Sequence, residues 1–202
     1  MTVRHKTDEK SLLQAKIEDA VSFSIHKNKI HFVGFLNEQE AQMACNIAQQ
    51  AHFSNIALWG GYENAERVFF GAFPDFMDPD VSLFPIRSFT AVFRPCDTLT
   101  HRDFLGAFMA LGIERSTLGD FLLEQGRCVF FAKEEIGDFI LSQITKVGKV
   151  GVRLQADFSL PLPAERKFQE FNSVIASPRL DCVVAAATGP VSYTHLFPIC
   201  LN

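Results

Sequence analysis

The sequence predicts an α+β fold, on three observations. Residues 85–158 alternate short apolar runs with helical repeats in the order β-α-β-β-α-β. The preceding residues, 1–84, mix two helical stretches with short strands and lead into a loop, 73–85, carrying three prolines and three aspartates. A composition of 48% hydrophobic and 21% charged residues over 202 positions is that of a globular chain with real cores. A small N-terminal α+β domain followed by a four-stranded antiparallel plait satisfies all three.

The elements follow in order. Residues 8–26 read as a helix whose apolar face is Leu12, Leu13, Ala15, Ile17, Ala20 and Val21. Asn37 with Glu40 three positions later fits a capping box, and Ala41, Ala44, Cys45 and Ala48 repeat at helical spacing behind it. NIALWGG (55–61) is a short strand closed by a glycine pair, and ERVFFGAF (66–73) a second. FPDFMDPDVSLFP (73–85) is the loop between domains.

In the second domain SFTAVF (88–93) is a strand. Thr100 with Asp103 starts a helix through Phe104, Leu105, Phe108 and Met109, which Gly112 ends. DFLLE (120–124) and RCVFFA (127–132) form a hairpin across Gln125-Gly126. EEIGDFILSQITKV (134–147) has the helical period, and KVGVRLQ (149–155) is the last strand. Two helices on one side of this sheet leave its other face free of helix. Residues 159–172 read as a linker, 173–189 open a further element, and 190–202 lack any amphipathic period and read as a non-native tail.

Charge and cysteines bound the function. A net charge of −4 argues against a broad nucleic-acid surface. It is unevenly spread: residues 31–85 hold Arg67 as their one Lys or Arg against seven acids, whereas 86–160 hold nine of each sign. The five cysteines form no C-x-x-C pair and no zinc spacing with the histidines, so neither a metal nor another cofactor is expected. No run approaches a membrane-spanning length, and a cytoplasmic protein is expected.

The polar residues cluster in two places. In LTHRDFLGAFMALGIERSTLGD (99–120), His101 and Arg102 occupy the first turn of a helix, where an arginine fork and free backbone N–H groups can meet phosphate. A hydrolase or RNA-modifying reading needs His101 as base with Asp103 or Asp120, but Thr100 and Asp103 are better explained as the cap. In WGGYENAER (59–67) the glycine pair lacks a following Gly-Lys-Ser/Thr and is no nucleotide phosphate loop. Tyr62 can stack on a base and Arg67 can touch a phosphate; a plain glycine turn is the alternative. On the plait, Phe89, Ala91 and Phe93 share one side, and Phe130 lies opposite Val129 and Phe131. Aromatics on central strands can stack bases, although RCVFFA departs from the K/R-G-F/Y-G/A-F-V-x-F/Y signature, and packing on helices is the competing use.

Together FLNEQEAQMA (35–44), GGYENAER (60–67), residues 99–120, KVGKVGV (146–152) and SPRLD (177–181) resemble the YlmH-type S4-domain RNA-binding proteins of bacteria. The resemblance implies three modules: the N-terminal domain, an RRM-like plait, and an S4 domain of which SPRLDCVVAAAT matches only the opening. It implies a truncation there, since the later S-R and V-x-V-N elements are missing. It also implies a non-catalytic role with ribosomal RNA, the large ribosomal subunit and tRNA in quality control of stalled ribosomes. A contact with division proteins is a further implication; DNA and membrane insertion are not. Tyr62, Arg67, His101, Arg102, Arg115 and Arg179 are the candidate RNA contacts.

Overall fold

The computed structural model describes residues 2–163, with side chains from Lys10 onward. Arg179, the expected S4 opening at 173–189, most of the linker and the 190–202 tail lie outside the described residues.

The N-terminal part contains α1 (Thr2–Lys27), β1 (His31–Leu36), α2 (Glu38–Gln50), β2 (Ile56–Trp59) and β3 (Val68–Ala72). Its three strands form an antiparallel sheet in the order β1-β3-β2. α2 starts where the sequence says it should. Asn37 accepts from Glu40 N at 3.0 Å, and Glu40 Oε2 accepts from Asn37 N at 2.8 Å, satisfying two N–H groups that the first turn leaves open.

β1 was not expected from the sequence. HFVGFL lacks polar alternation because both of its faces are covered. Val33 and Leu36 pack with Ile17, Ala20 and Val21 of α1 and the alanines of α2, while Phe35 points into a different core. β3 divides its residues in the same way, Phe70 and Ala72 toward the helices and Phe69 away from them.

The second part contains β4 (Ile86–Val92), α3 (His101–Ala110), β5 (Leu118–Glu124), β6 (Arg127–Lys133), α4 (Gly137–Gln143), β7 (Lys146–Val147), β8 (Val150–Gly151) and β9 (Arg153–Ala156). The main sheet runs β5-β6-β4-β9, antiparallel throughout, and pairs Phe89 with Phe130 and Phe121 with Phe130. Two sequence expectations need adjustment here. The helix expected over 134–147 is a short 3-10 turn and seven residues of α4; the chain then leaves the helix at Ile144. The expected final strand is split, because β7 and β8 form a small hairpin around Gly148, whose φ is +57°.

One face of the main sheet packs on α3 and α4 through Phe89, Phe93, Phe104, Phe108, Phe130 and Ile140. The opposite face is not open. Val129 and Phe131 are buried there with Phe35, Phe69 and Phe73 of the N-terminal sheet and with Phe84 of the connecting loop. The chain passes from one sheet to the other near residue 84, and the described residues on both sides of it fall within one compact unit. Many of the twenty-one phenylalanines serve this layered packing: among the described residues, Phe35, Phe69, Phe70, Phe73, Phe89, Phe104, Phe108, Phe130 and Phe131 are the fully buried ones.

Candidate nucleic-acid interface

Asp120 organises the contact between the two sheets. Its Oδ2 accepts from Tyr62 Oη at 3.0 Å, Glu66 N at 2.7 Å and Arg67 N at 3.2 Å. A buried carboxylate is tolerated only when hydrogen bonds replace its lost water, and three donors from the 60–67 loop supply them. The loop reaches that far because Gly61, at φ +100°, lies against Phe131: a Cβ there would fall 2.4 Å from the ring. The Tyr62 ring stacks on Phe131 with centroids 5.0 Å apart and is 7% exposed. Base stacking by Tyr62 is thereby corrected, since its apolar faces are spent in the core. The same burial removes Phe131 and Val129 as a base-stacking platform, and Phe130 packs on the helices.

Arg67 and Arg115 converge. Arg67 Nε donates to Leu118 O at 3.1 Å, and its Nη2 to Phe35 O at 2.7 Å and Arg115 O at 3.3 Å. Arg115 Nη1 donates to the same Leu118 O at 2.6 Å and to Gly119 O at 3.1 Å. These carbonyls lie at irregular points of β1 and β5: Gly34 and Phe35, and Gly119 and Asp120, fall outside the paired registers. Irregular strand segments leave backbone groups without ladder partners, and the guanidinium forks supply them. Burial lowers the pKa of Arg67, opposed by the charges of Glu40 and Asp120. Burial and the neighbouring Arg67 charge lower that of Arg115 to about 10.

His101 and Arg102 lie elsewhere, at the exposed start of α3. Thr100 and Asp103 form the capping box expected from the sequence, with Asp103 Oδ2 accepting from Thr100 N at 2.9 Å and from Thr100 Oγ1 at 2.6 Å. The hydrogen bonds from Thr100, first through its side chain and then its backbone, hold the Asp103 carboxyl below the usual carboxylate range. His101 packs edge-on against Phe121, centroids 5.3 Å apart. Asp103 is thus engaged in the cap and Asp120 in the inter-sheet contact. Among the described residues no cluster of His, Cys, Asp and Glu has the form of a metal site.

Arg102 lines a shallow groove between α3 and the β7–β8 hairpin, with Lys146 on the opposite bank. Lys149 and Arg153 follow on the same hairpin and on β9, all exposed. Neither Arg102 nor these three has an ion pair among the described residues. Lys146, Lys149 and Arg153 are not among the candidates the sequence offers, although they recur at short spacing in KVGKVGVR. Arg67 and Arg115 line a separate cleft.

Residues 74–159, from the connecting loop through β9, match the family described as "Putative RNA-binding domain in YlmH". The chain is also 30% identical over 163 residues to the ribosome-associated protein quality control protein P2 of Bacillus subtilis, an alignment that covers 78% of this chain. Both matches point to YlmH-type RNA-binding proteins. The chain spans 62% of the length of that curated relative. Its fold is also that of the cell division protein ylmH from Streptococcus pneumoniae, with a TM-score of 0.57 at 22% identity, covering 78% of this chain and 93% of that one. Among the described residues, no helix is long and apolar enough to cross a membrane.

Proposed function

We propose that this chain is a non-catalytic, cytoplasmic RNA-binding protein that works at the ribosome in the quality control of stalled translation, contacting the large subunit and tRNA. The observation that carries the reading is the match of residues 74–159 to an RNA-binding domain; the relative named for ribosome-associated quality control supports the setting. In this reading the β4–β9 unit is an RRM-like plait whose customary base-stacking face has been surrendered to the N-terminal sheet. RNA is then met on the outside, by phosphate contacts rather than by stacking.

Arg102, Lys146, Lys149 and Arg153 are the surface proposed for that contact, with His101 beside them and Arg179 as the contribution of the S4 opening. Arg102, Lys146, Lys149 and Arg153 are cations that can displace counterions from a phosphate chain, and shape fixes the register. The held RNA keeps all its covalent bonds.

The test is ribosome co-sedimentation of the full chain over a salt series, wild type against Arg102→Ala/Lys146→Ala/Lys149→Ala. Loss of three phosphate contacts should flatten the log–log salt slope by about 2–3. Unchanged retention and slope would remove this surface from the interface. Failure of the wild type to co-sediment would overturn the function itself.

A further inference from the structure

We propose that the cleft between α1, β1 and the turn at residues 114–117 seats the phosphate group of a nucleotide on Arg67 and Arg115. This goes beyond the RNA surface at Arg102, which lines a different groove.

The geometry is that of a half-used pair of forks. A guanidinium carries five N–H donors in one plane. Arg67 commits Nε and Nη2 to carbonyls and leaves Nη1; Arg115 commits Nη1 and leaves Nε and Nη2. Because both reach Leu118 O, the two groups are neighbours, and their uncommitted nitrogens are not among the fully buried atoms of these half-buried residues. Among the described residues, Ser24 Oγ is the one buried side-chain polar atom without a partner. Neither guanidinium has a carboxylate within ion-pair distance among the described residues. Two adjacent cations, anchored by one edge and without a carboxylate in ion-pair contact at the other, present a bidentate seat for an oxyanion.

The surroundings define the ligand further. The cleft is open to solvent on one side and offers about 800 Å³, more than an isolated phosphate requires. Lys16 and Lys133 stand at its rim, together with the acids Asp19, Glu40, Glu114 and Glu135. Three of those acids are engaged: Glu40 holds the α2 cap, Glu114 accepts from Ser116 Oγ, and Glu135 pairs with Lys133. Cations and carboxylates balance over the lining as a whole, so the anion is held by local contact with the two arginines and not by a long-range field.

The same chemistry can come from a free nucleotide or from an RNA strand, and the experiment separates them. The side-chain Nε–H signals of Arg67 and Arg115 in the full chain are followed by NMR during titration with inorganic phosphate, adenosine monophosphate, and acetate at matched ionic strength. Phosphate and the nucleotide should shift both signals and acetate neither. Ser116→Asp places a competing carboxylate on the exposed lip of the cleft without touching the core, and should weaken both ligands about tenfold. Displacement of the nucleotide by a 5′-hydroxyl oligoribonucleotide supports a seat for backbone phosphates; retention supports one for free or terminal phosphates. Absence of any phosphate-induced shift, an equal shift with acetate, or an unaffected Ser116→Asp variant would overturn the inference. The Arg102/Lys146/Lys149 triple variant should keep phosphate binding, so this proposal and the ribosome-binding one fail separately.

Discussion

The Tyr62 hydroxyl donates to Asp120 at 3.0 Å across the junction of the two sheets, while the Tyr62 ring lies flat on Phe131. One side chain thus contributes apolar stacking and a hydrogen bond to a buried charge. Removing the hydroxyl alone, in Tyr62→Phe, should cost about 1–2 kcal/mol. Asp120→Ala, which withdraws the acceptor from three donors, should cost about 3 kcal/mol or more. Urea unfolding of both variants checks the order; equal stability of wild type and Asp120→Ala would show that the carboxylate does not tie the sheets together.

Two glycines should respond in opposite directions to alanine. Gly61 combines φ +100° with a Cβ position 2.4 Å from Phe131, so Gly61→Ala should destabilise by about 2–4 kcal/mol through backbone strain and displaced packing. Gly106, inside α3 with nothing within 4 Å of its Cβ position, should gain about 0.5–1 kcal/mol as alanine. Thermal melts of the pair provide the comparison.

Arg67 holds backbone rather than carboxylate, and its substitution should therefore be judged by stability. Arg67→Ala strips charged donors from Phe35 O and Arg115 O and should cost about 2–3 kcal/mol. Lysine should restore little of this, because a single ammonium cannot reproduce the planar fork that reaches Phe35, Arg115 and Leu118 together. Full recovery in Arg67→Lys, measured by chemical denaturation, would contradict that geometry.

The α3 cap should titrate. The Asp103 carboxyl lies below its ordinary value in the folded chain, so the unfolded chain takes up its proton first as acid is added. The stabilisation is complete above the usual aspartate pKa of about 3.9 and fades as pH falls through the depressed folded-state value. The stability difference between wild type and Asp103→Asn should accordingly be larger at neutral pH than near pH 2. A pH-independent difference, from denaturation at both pH values, would refute the assignment. Thr100→Ala, which loses the reciprocal half of the box, should cost about 1 kcal/mol.

Local chemistry was legible without coordinates. Asn37–Glu40 and Thr100–Asp103 announce two helix starts because a cap is made within four residues, and Gly112 and Gly126 mark turns for equally local reasons. The alternation in SFTAVF set Phe89, Ala91 and Phe93 on one side of their strand, and that in RCVFFA set Phe130 opposite Val129 and Phe131, divisions that the cores repeat. Strand β1 escaped notice because a strand covered on both faces loses the period by which strands are recognised.

What only the tertiary structure decided is where the polar side chains spend their hydrogen bonds. Arg67 and Asp120 are fifty-odd positions apart in the chain, and no spacing rule relates them. Residue type made Arg67 and Arg115, and secondarily Tyr62, candidates for an RNA surface. The packing of one sheet on another buried Tyr62, turned one edge of each arginine onto irregular backbone, and left the other edge facing a cleft. The physical reason is that caps and strand faces are set by neighbours along the chain. The use of a long polar side chain is set by whichever unpaired carbonyl or carboxylate folding brings within its reach.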